Sequence, residues 1–155
     1  MKIKTRFATM EDLKDIQDLS HKLHIKENKE FDATINKDYP IQKLGEIYFK
    51  KRIKNDCALV AFVKEEVAGY LVGAIHEPED YRNISNVAEA ENMLVLEKYR
   101  SLGIGKQLFQ EFIKWSQSKG AKRIRVVASA QNIKAIEFYK REGFKEYDLT
   151  LEKDI

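Results

Sequence analysis

A single cysteine, Cys57, stands among the 155 residues, so no disulfide can close within the chain. The paired Cys/His spacings of a structural zinc site are missing as well, and no metal is expected. No apolar run reaches the ~18 residues that a membrane span needs. The segment Met1-Lys2-Ile3-Lys4-Thr5-Arg6 lacks the apolar core of a secretory signal. A cytoplasmic protein with no membrane partner is the expectation. Strong charge of one sign is also absent, with 28 Lys+Arg against 25 Asp+Glu and a formal net charge of +3. So small an excess reads as a solvated surface rather than a nucleic-acid footprint. There is no repeat, low-complexity tract or linker. What is present, 43% hydrophobic and 10% aromatic residues, suffices for a packed core. A chain of this length forms one domain, residues 1–155, burying roughly two-thirds of its extended surface.

Ile3 to Phe7 alternates apolar and polar side chains, as a half-buried strand does. Thr9-Met10-Glu11-Asp12 reads as a helix start with an acid three places after the cap. Leu13, Ile16, Leu19 and Leu23 supply the stripe of the first helix, which fades from His24 into a polar stretch closed by Pro40. A second helix is expected from Ile41 to about Lys54. Ala58–Val63 and Val67–Ile75 form a hairpin, in which Gly69 and Gly73 share a face against which something packs closely. A fourth strand runs from about Asn86 to Leu96, and a helix follows carrying Leu108, Phe109, Phe112, Ile113 and Trp115. A fifth strand covers Ile124–Ala128. Asn132 caps a short helix with Ile133, Ile136 and Tyr139, Gly143 takes the left-handed position past its end, and Phe144–Leu151 forms a last strand. This order gives an α/β domain around one mixed sheet, antiparallel through the hairpins and parallel where helices intervene.

The segment Arg100-x-x-Gly103-x-Gly105 falls between a strand and a helix. A glycine turn opening a helix offers free backbone N–H groups and the positive end of the helix dipole, a combination suited to phosphate. Position 108 is Leu where a dinucleotide fingerprint has its third glycine, which disfavours a Rossmann site, and the spacing before Lys106 excludes a Walker loop. Some thirty residues on stands Asn132-x-x-Ala135-Ile136-x-Phe138-Tyr139-x-x-x-Gly143-Phe144. Together with Tyr99-Arg100-x-x-Gly103-Ile104-Gly105, this closely resembles the acetyl-CoA-dependent N-acetyltransferases of the GNAT superfamily, over most of the chain.

The resemblance implies a single-domain GNAT-like mixed sheet, splayed between its fourth and fifth strands and flanked by helices. It implies acetyl-CoA as cosubstrate, with the pyrophosphate on the amides of Ser101, Leu102, Gly103, Ile104, Gly105 and Lys106 and Arg100 at the entrance. The pantetheine arm would lie along the main chain of Met93, Leu94 and Val95, and Asn132 would contact the cofactor from the opposite wall. Tyr139 matches the tyrosine that donates a proton to the departing thiolate, and an N–H near Val95 would serve the oxyanion. The acceptor is a primary amine, a small polyamine or amino compound or a protein amine, and the reaction is direct attack through a tetrahedral intermediate. An alkyl ammonium titrates near about 10.4, so a proton must first be removed. By alternation Glu89 and Glu91 share a face of the fourth strand with Met93 and Val95. Both are candidate bases, Glu91 preferred; the strand-five region Val126-Val127-Ala128-Ser129-Ala130 holds no carboxylate.

His21 and His24 read as surface histidines that could border the acceptor pocket, and Cys57 as a buried thiol. The basic runs Lys50-Lys51-Arg52-x-Lys54 and Lys119-x-x-Lys122-Arg123-x-Arg125 read as solvated faces. A non-catalytic acyl-CoA-binding regulatory module is the alternative function, and a homodimer is expected only by analogy. The small net charge also conceals a division. Glu77, Glu79, Asp80, Glu89, Glu91 and Glu97 lead into the glycine turn against Arg82 alone, while Lys98, Arg100, Lys106, Lys114, Lys119, Lys122, Arg123 and Arg125 follow against Glu111 alone. The basic part would favour the phosphates of CoA and the acidic part a cationic amine.

Overall fold

Cys57-Ala-Leu-Val-Ala-Phe-Val63 is apolar without alternation, and a strand of that kind belongs where both its faces are covered. In the computed structural model, which describes Met1 to Ile155, it is β2, Cys57–Val63, buried along nearly its whole length. The other strands are β1 (Ile3–Phe7), β3 (Glu66–His76), β4 (Val87–Val95) and β5 (Arg123–Val126). The helices are α1 (Leu13–Glu30), α2 (Lys43–Asn55), α3 (Ile104–Ser118) and α4 (Ile133–Arg141). The sheet runs β1-β2-β3-β4-β5, antiparallel at the first three junctions and parallel between β4 and β5. No helix is long and apolar enough to cross a membrane.

Two helix layers cover the sheet. On one face Leu59, Leu71, Ala88 and Ala90 meet Leu108, Phe109 and Phe112 of α3, with Phe138 and Tyr139 of α4 packed against them. On the other, Val60, Tyr70 and Val72 meet Ile16 and Leu19 of α1 and Phe49 of α2. A fully buried phenylalanine or leucine contributes about 1.5–3 kcal/mol relative to exposure, and Phe49, Phe109, Phe112, Leu59 and Leu71 are all in this class. The two glycines of β3 are required by close packing. A Cβ on Gly73 would stand 2.3 Å from the Glu89 carbonyl oxygen and 2.7 Å from the Phe112 ring, and one on Gly69 2.8 Å from the Leu94 carbonyl oxygen.

Four expectations are corrected. Helix α1 does not fade at His24 but continues to Glu30, because polar bonds to the following loop replace the apolar stripe. His21 Nε2 pairs with Asp38 Oδ1 at 2.9 Å, His24 Nδ1 meets the Asn36 carbonyl at 3.2 Å, and Asn28 Nδ2 donates to the carbonyls of Ala33 and Ile35. The pair β1/β2 is antiparallel although two helices intervene, since α1 and α2 form a hairpin that returns the chain to the end it left. The fifth strand is shorter than expected and ends at Val126. The expected last strand is absent: Phe144 packs on Phe109 and Tyr139, but Tyr147, Leu149 and Leu151 are 61%, 74% and 84% exposed and their segment joins no ladder. Alternation marks a face, but only a hydrogen-bonded neighbour makes a strand.

Candidate active site

The splay of the sheet is set by where two strands stop pairing. β4 and β5 are paired from Val87↔Arg123 to Ala90↔Val126, and no further. Beyond Ala90, β4 continues to Val95 with β3 alone beside it. Leu96 N donates to Ala68 O at 2.9 Å, and antiparallel hydrogen bonding alternates along the strand. It follows that Leu94 bonds toward Tyr70, while the N–H and C=O groups of Met93 and Val95 point into the opening between β4 and β5.

The parity of β4 changes on the way. Val72 faces Asn92 but Gly73 faces Ala90, so Glu91 is an extra residue in a bulge. Ala88 and Ala90 belong to the α3 face before it and Met93 and Val95 to the same face after it. Glu89, Glu91, Asn92 and Leu94 turn toward α1 and α2. The expected sharing of one face by Glu89, Glu91, Met93 and Val95 is therefore wrong, because period-two counting holds only within an unbroken strand.

At the end of β4 the chain makes a short turn over Glu97–Tyr99 and enters the glycine segment. Ser101 has φ +62° and Gly103 φ +83°, and these left-handed residues fold the backbone into the entry of α3. The first intrahelical bond is Gln107 N to Gly103 O at 3.0 Å. The N–H groups of Ser101, Leu102, Gly103, Ile104, Gly105 and Lys106 have no acceptor in the protein, and they stand at the positive end of α3. Gly105 lets this turn close on the sheet, its absent Cβ lying 3.0 Å from Met93 Cε and 3.2 Å from the Phe138 ring. Arg100 Nε donates to the Val95 carbonyl at 3.1 Å.

From the far wall, Asn132 Oδ1 accepts from Ala135 N at 3.2 Å and caps α4 as expected, and Gly143 has φ +95° past its end. Arg100 and Asn132 line one cavity of about 450 Å³, with Lys26 and Glu30 of α1 and Phe31 just past its end as its third side. Two motifs some thirty residues apart thus open on the same space. Deeper along α4, Tyr139 is packed edge-on against Phe109, Phe138 and Phe144, with ring centroids 5.5–5.8 Å apart. Its hydroxyl makes no hydrogen bond, and no fully buried side-chain polar atom is left unsatisfied, so the hydroxyl reaches solvent. Burial, aided by the charge of Glu27, raises its pKa above the usual phenol value.

The bulge glutamate is differently placed. Arg52 Nε and Nη2 donate to Glu91 at 2.6 and 2.8 Å, the Tyr48 hydroxyl donates at 2.6 Å, and His76 Nε2 lies at 2.8 Å. Burial alone would raise this carboxyl, but Arg52, Tyr48 and His76 outweigh it and hold it below the usual carboxylate range. Glu89 pairs with Arg125 Nε at 3.2 Å and with His76 at 3.2 Å. Arg52, only 11% exposed, and Arg125 are therefore not members of solvated faces. His76, Glu89 and Glu91 bring ligand-type atoms within 4.8 Å of one another, with both arginines already bound to the two carboxylates. Sequence reasoning missed Arg52, Tyr48, His76 and Glu27; of these only Arg52 carried a signal, as an arginine in a helix opposite acidic strand residues. Cys57 is buried as expected, its thiol pushed up to about 12 by burial.

The comparisons bear on this geometry. The model of the acetyltransferase (GNAT) family matches residues 16–144. The chain belongs to that family. The uncharacterized N-acetyltransferase MJ1207 of Methanocaldococcus jannaschii is 32% identical over 149 residues, which are 93% of this chain and 61% of that protein. The chain thus spans less than two-thirds of the length of this curated relative. Among solved structures, the BH1408 protein of Bacillus halodurans, determined as a tetramutant, has a TM-score of 0.84 at 22% identity over 100% of both chains. The aminoglycoside N-acetyltransferase AAC(6')-Iy, in complex with a bisubstrate analogue joining CoA to acetylneamine, has a TM-score of 0.75 at 16% identity over 100% of this chain and 99% of its own. At such identities these likenesses establish the GNAT fold: an open, five-stranded mixed sheet flanked by helices.

Proposed function

We propose that this GNAT protein transfers the acetyl group of acetyl-CoA to a primary, cationic amine. One observation carries the reading. Six consecutive N–H groups, Ser101 to Lys106, lack protein acceptors at the head of α3, beside the cavity that Arg100 and Asn132 share. Such a cradle fits a pyrophosphate. Acetyl-CoA, when bound, supplies the acetyl thioester. Arg100 guards the phosphate end, and the Met93 main-chain groups and the Val95 N–H are open to the extended arm. The Val95 N–H is the donor for a developing oxyanion. Tyr139, still protonated at working pH, holds its proton ready for the leaving sulfur. The cationic character of the acceptor is supported by AAC(6')-Iy having been solved with CoA joined to acetylneamine. The ion pairs of Glu91 count against it as a base that must gain and lose a proton.

The experiment is a thermal-shift titration with acetyl-CoA, followed by thiol release over polyamines, aminoglycosides, amino acids and basic peptides. Binding with turnover of at least one amine is expected. Tyr139→Phe should keep acetyl-CoA affinity and lose about 10²-fold or more in kcat. Binding without thiol release on any amine would favour the acyl-CoA-binding regulatory module instead, and unchanged turnover in Tyr139→Phe would remove that residue from the chemistry.

A further inference from the structure

The cleft is bordered by carboxylates in unequal states. Glu91 is clamped by Arg52, Tyr48 and His76, and Glu89 by Arg125 and His76. Glu97 and Glu30 are exposed at the Arg100 end of the cavity, Glu30 with Lys26 Nζ at 3.9 Å. Glu27 differs from all of these. It is half-buried and its carboxylate makes neither a hydrogen bond nor an ion pair.

Its position follows from helical periodicity. Glu27 is seven residues after Ser20, two turns and about 10 Å along the same face of α1. Ser20 Oγ donates to Asn92 Oδ1 at 3.2 Å, just past the bulge, and the buried Tyr70 hydroxyl donates to the same oxygen. One turn beyond Glu27, Glu30 and Phe31 wall the cavity opposite Arg100 and Asn132. Glu27 therefore lies between the bulge of β4 and the cavity. Its charge adds to burial in raising the pKa of Tyr70 on β3 and of Tyr139 on α4.

We propose that Glu27 is the general base of the transfer, taking a proton from the acceptor ammonium between the bulge of β4 and the cavity. This rests on the acetyltransferase reading above. An N–H bond of the ammonium breaks toward a Glu27 oxygen, and the freed electron pair forms the C–N bond. As the C–S bond breaks, Tyr139 gives its proton to the sulfur. Nitrogen sheds two protons in all, which balance the one gained by sulfur and the one released to water. The titratable groups whose charges couple to Glu27 are His24 and Lys26 on its own helix, Tyr70 on β3 and Tyr139 on α4. Burial raises the carboxyl, His24 and Lys26 oppose it, and the net shift is upward, the direction that suits a base working near neutrality.

The test uses the full chain as wild type, Glu27→Gln and Glu27→Asp. Thiol release from acetyl-CoA is followed with spermidine, neamine and a lysine peptide from about pH 6 to about pH 10, a range that spans most of the ammonium titration. Glu27→Gln should lower kcat about 100-fold near neutrality, with the deficit shrinking toward the alkaline end as the amine deprotonates unaided. Acetyl-CoA affinity should be unchanged, and Glu27→Asp should retain an intermediate rate with the acid limb present. A Glu27→Gln variant that raises KM alone, or keeps the wild-type pH profile, overturns the base role while the acetyltransferase reading stands. A wild type that binds acetyl-CoA yet acetylates none of these amines overturns both.

Discussion

Val87 to Ala90 is hydrogen-bonded between β3 and β5, whereas Met93 to Val95, further along the same strand, keeps β3 alone and turns its other edge to a cleft. Glu91 lies between them as the extra residue of the bulge. The closed half is built for permanence, with glycine at position 73, a buried phenylalanine behind it and ion pairs in front. The open half leaves the Met93 main-chain groups and the Val95 N–H without a protein partner, the Val95 carbonyl alone accepting from Arg100, and continues into a turn whose six N–H groups are unused too. One strand thus anchors the sheet at one end and offers a binding edge at the other, and the bulge is the joint. Substitutions in the closed half should act on stability, and those in the open half on binding.

The largest effect should come from the joint itself. Glu91→Gln leaves Arg52, only 11% exposed, with Asp56 at 2.9 Å as its remaining charged partner, so the loss should fall at the lower end of the range for a broken buried pair, about 3 kcal/mol. Chemical denaturation near neutrality reads this directly. The folded-state carboxyl lies below the unfolded value of about 4.3, so its stabilisation is present above that value and lost as pH falls through the depressed folded one. The gap between wild type and Glu91→Gln should therefore narrow on acidification below about pH 4. A gap independent of pH would mean that the carboxylate charge contributes nothing.

A smaller loss is expected from Gly73→Ala. The new Cβ would stand 2.3 Å from the Glu89 carbonyl oxygen and 2.7 Å from the Phe112 ring, and overpacking of this kind costs about 1–3 kcal/mol. Its acetyl-CoA affinity, measured under conditions where the variant is folded, should match wild type. Weakened binding at full folding would mean that the two halves of β4 are not separable.

The local chemistry of the site was legible in the residues. Gly103 marks a left-handed turn and Asn132 at a helix start marks a cap, because each requirement is met within a few residues of chain, while Gly69, Gly73 and Gly105 stood out by type although the groups they make room for lie elsewhere in the sequence. What needed the tertiary structure was anything set by a partner far away. The bulge at Glu91 is defined only against β3, and without it alternation assigns the two glutamates to the wrong face. Glu27 fell in the stretch where the apolar stripe of α1 fades, since a loop of polar contacts rather than a core holds that end of the helix. Arg52 looked like one of a run of surface cations, although its partner is 39 residues away in sequence. The division of charge along the chain is real but partly cancelled in space, because Arg52, Arg82 and Arg125 hold Glu91, Glu79 and Glu89. A cationic acceptor therefore rests on Glu27 more than on the acidic segment that leads into the turn.

The central claim is that the open half of β4 and the turn after it form one cradle for acetyl-CoA. Amide hydrogen exchange, with and without saturating acetyl-CoA, tests it most directly. The account predicts new protection at Ser101 to Lys106 and at Met93 and Val95, with Val87 to Ala90 unchanged. Protection that appears elsewhere and leaves Ser101 to Lys106 exchanging as in the free protein would contradict it.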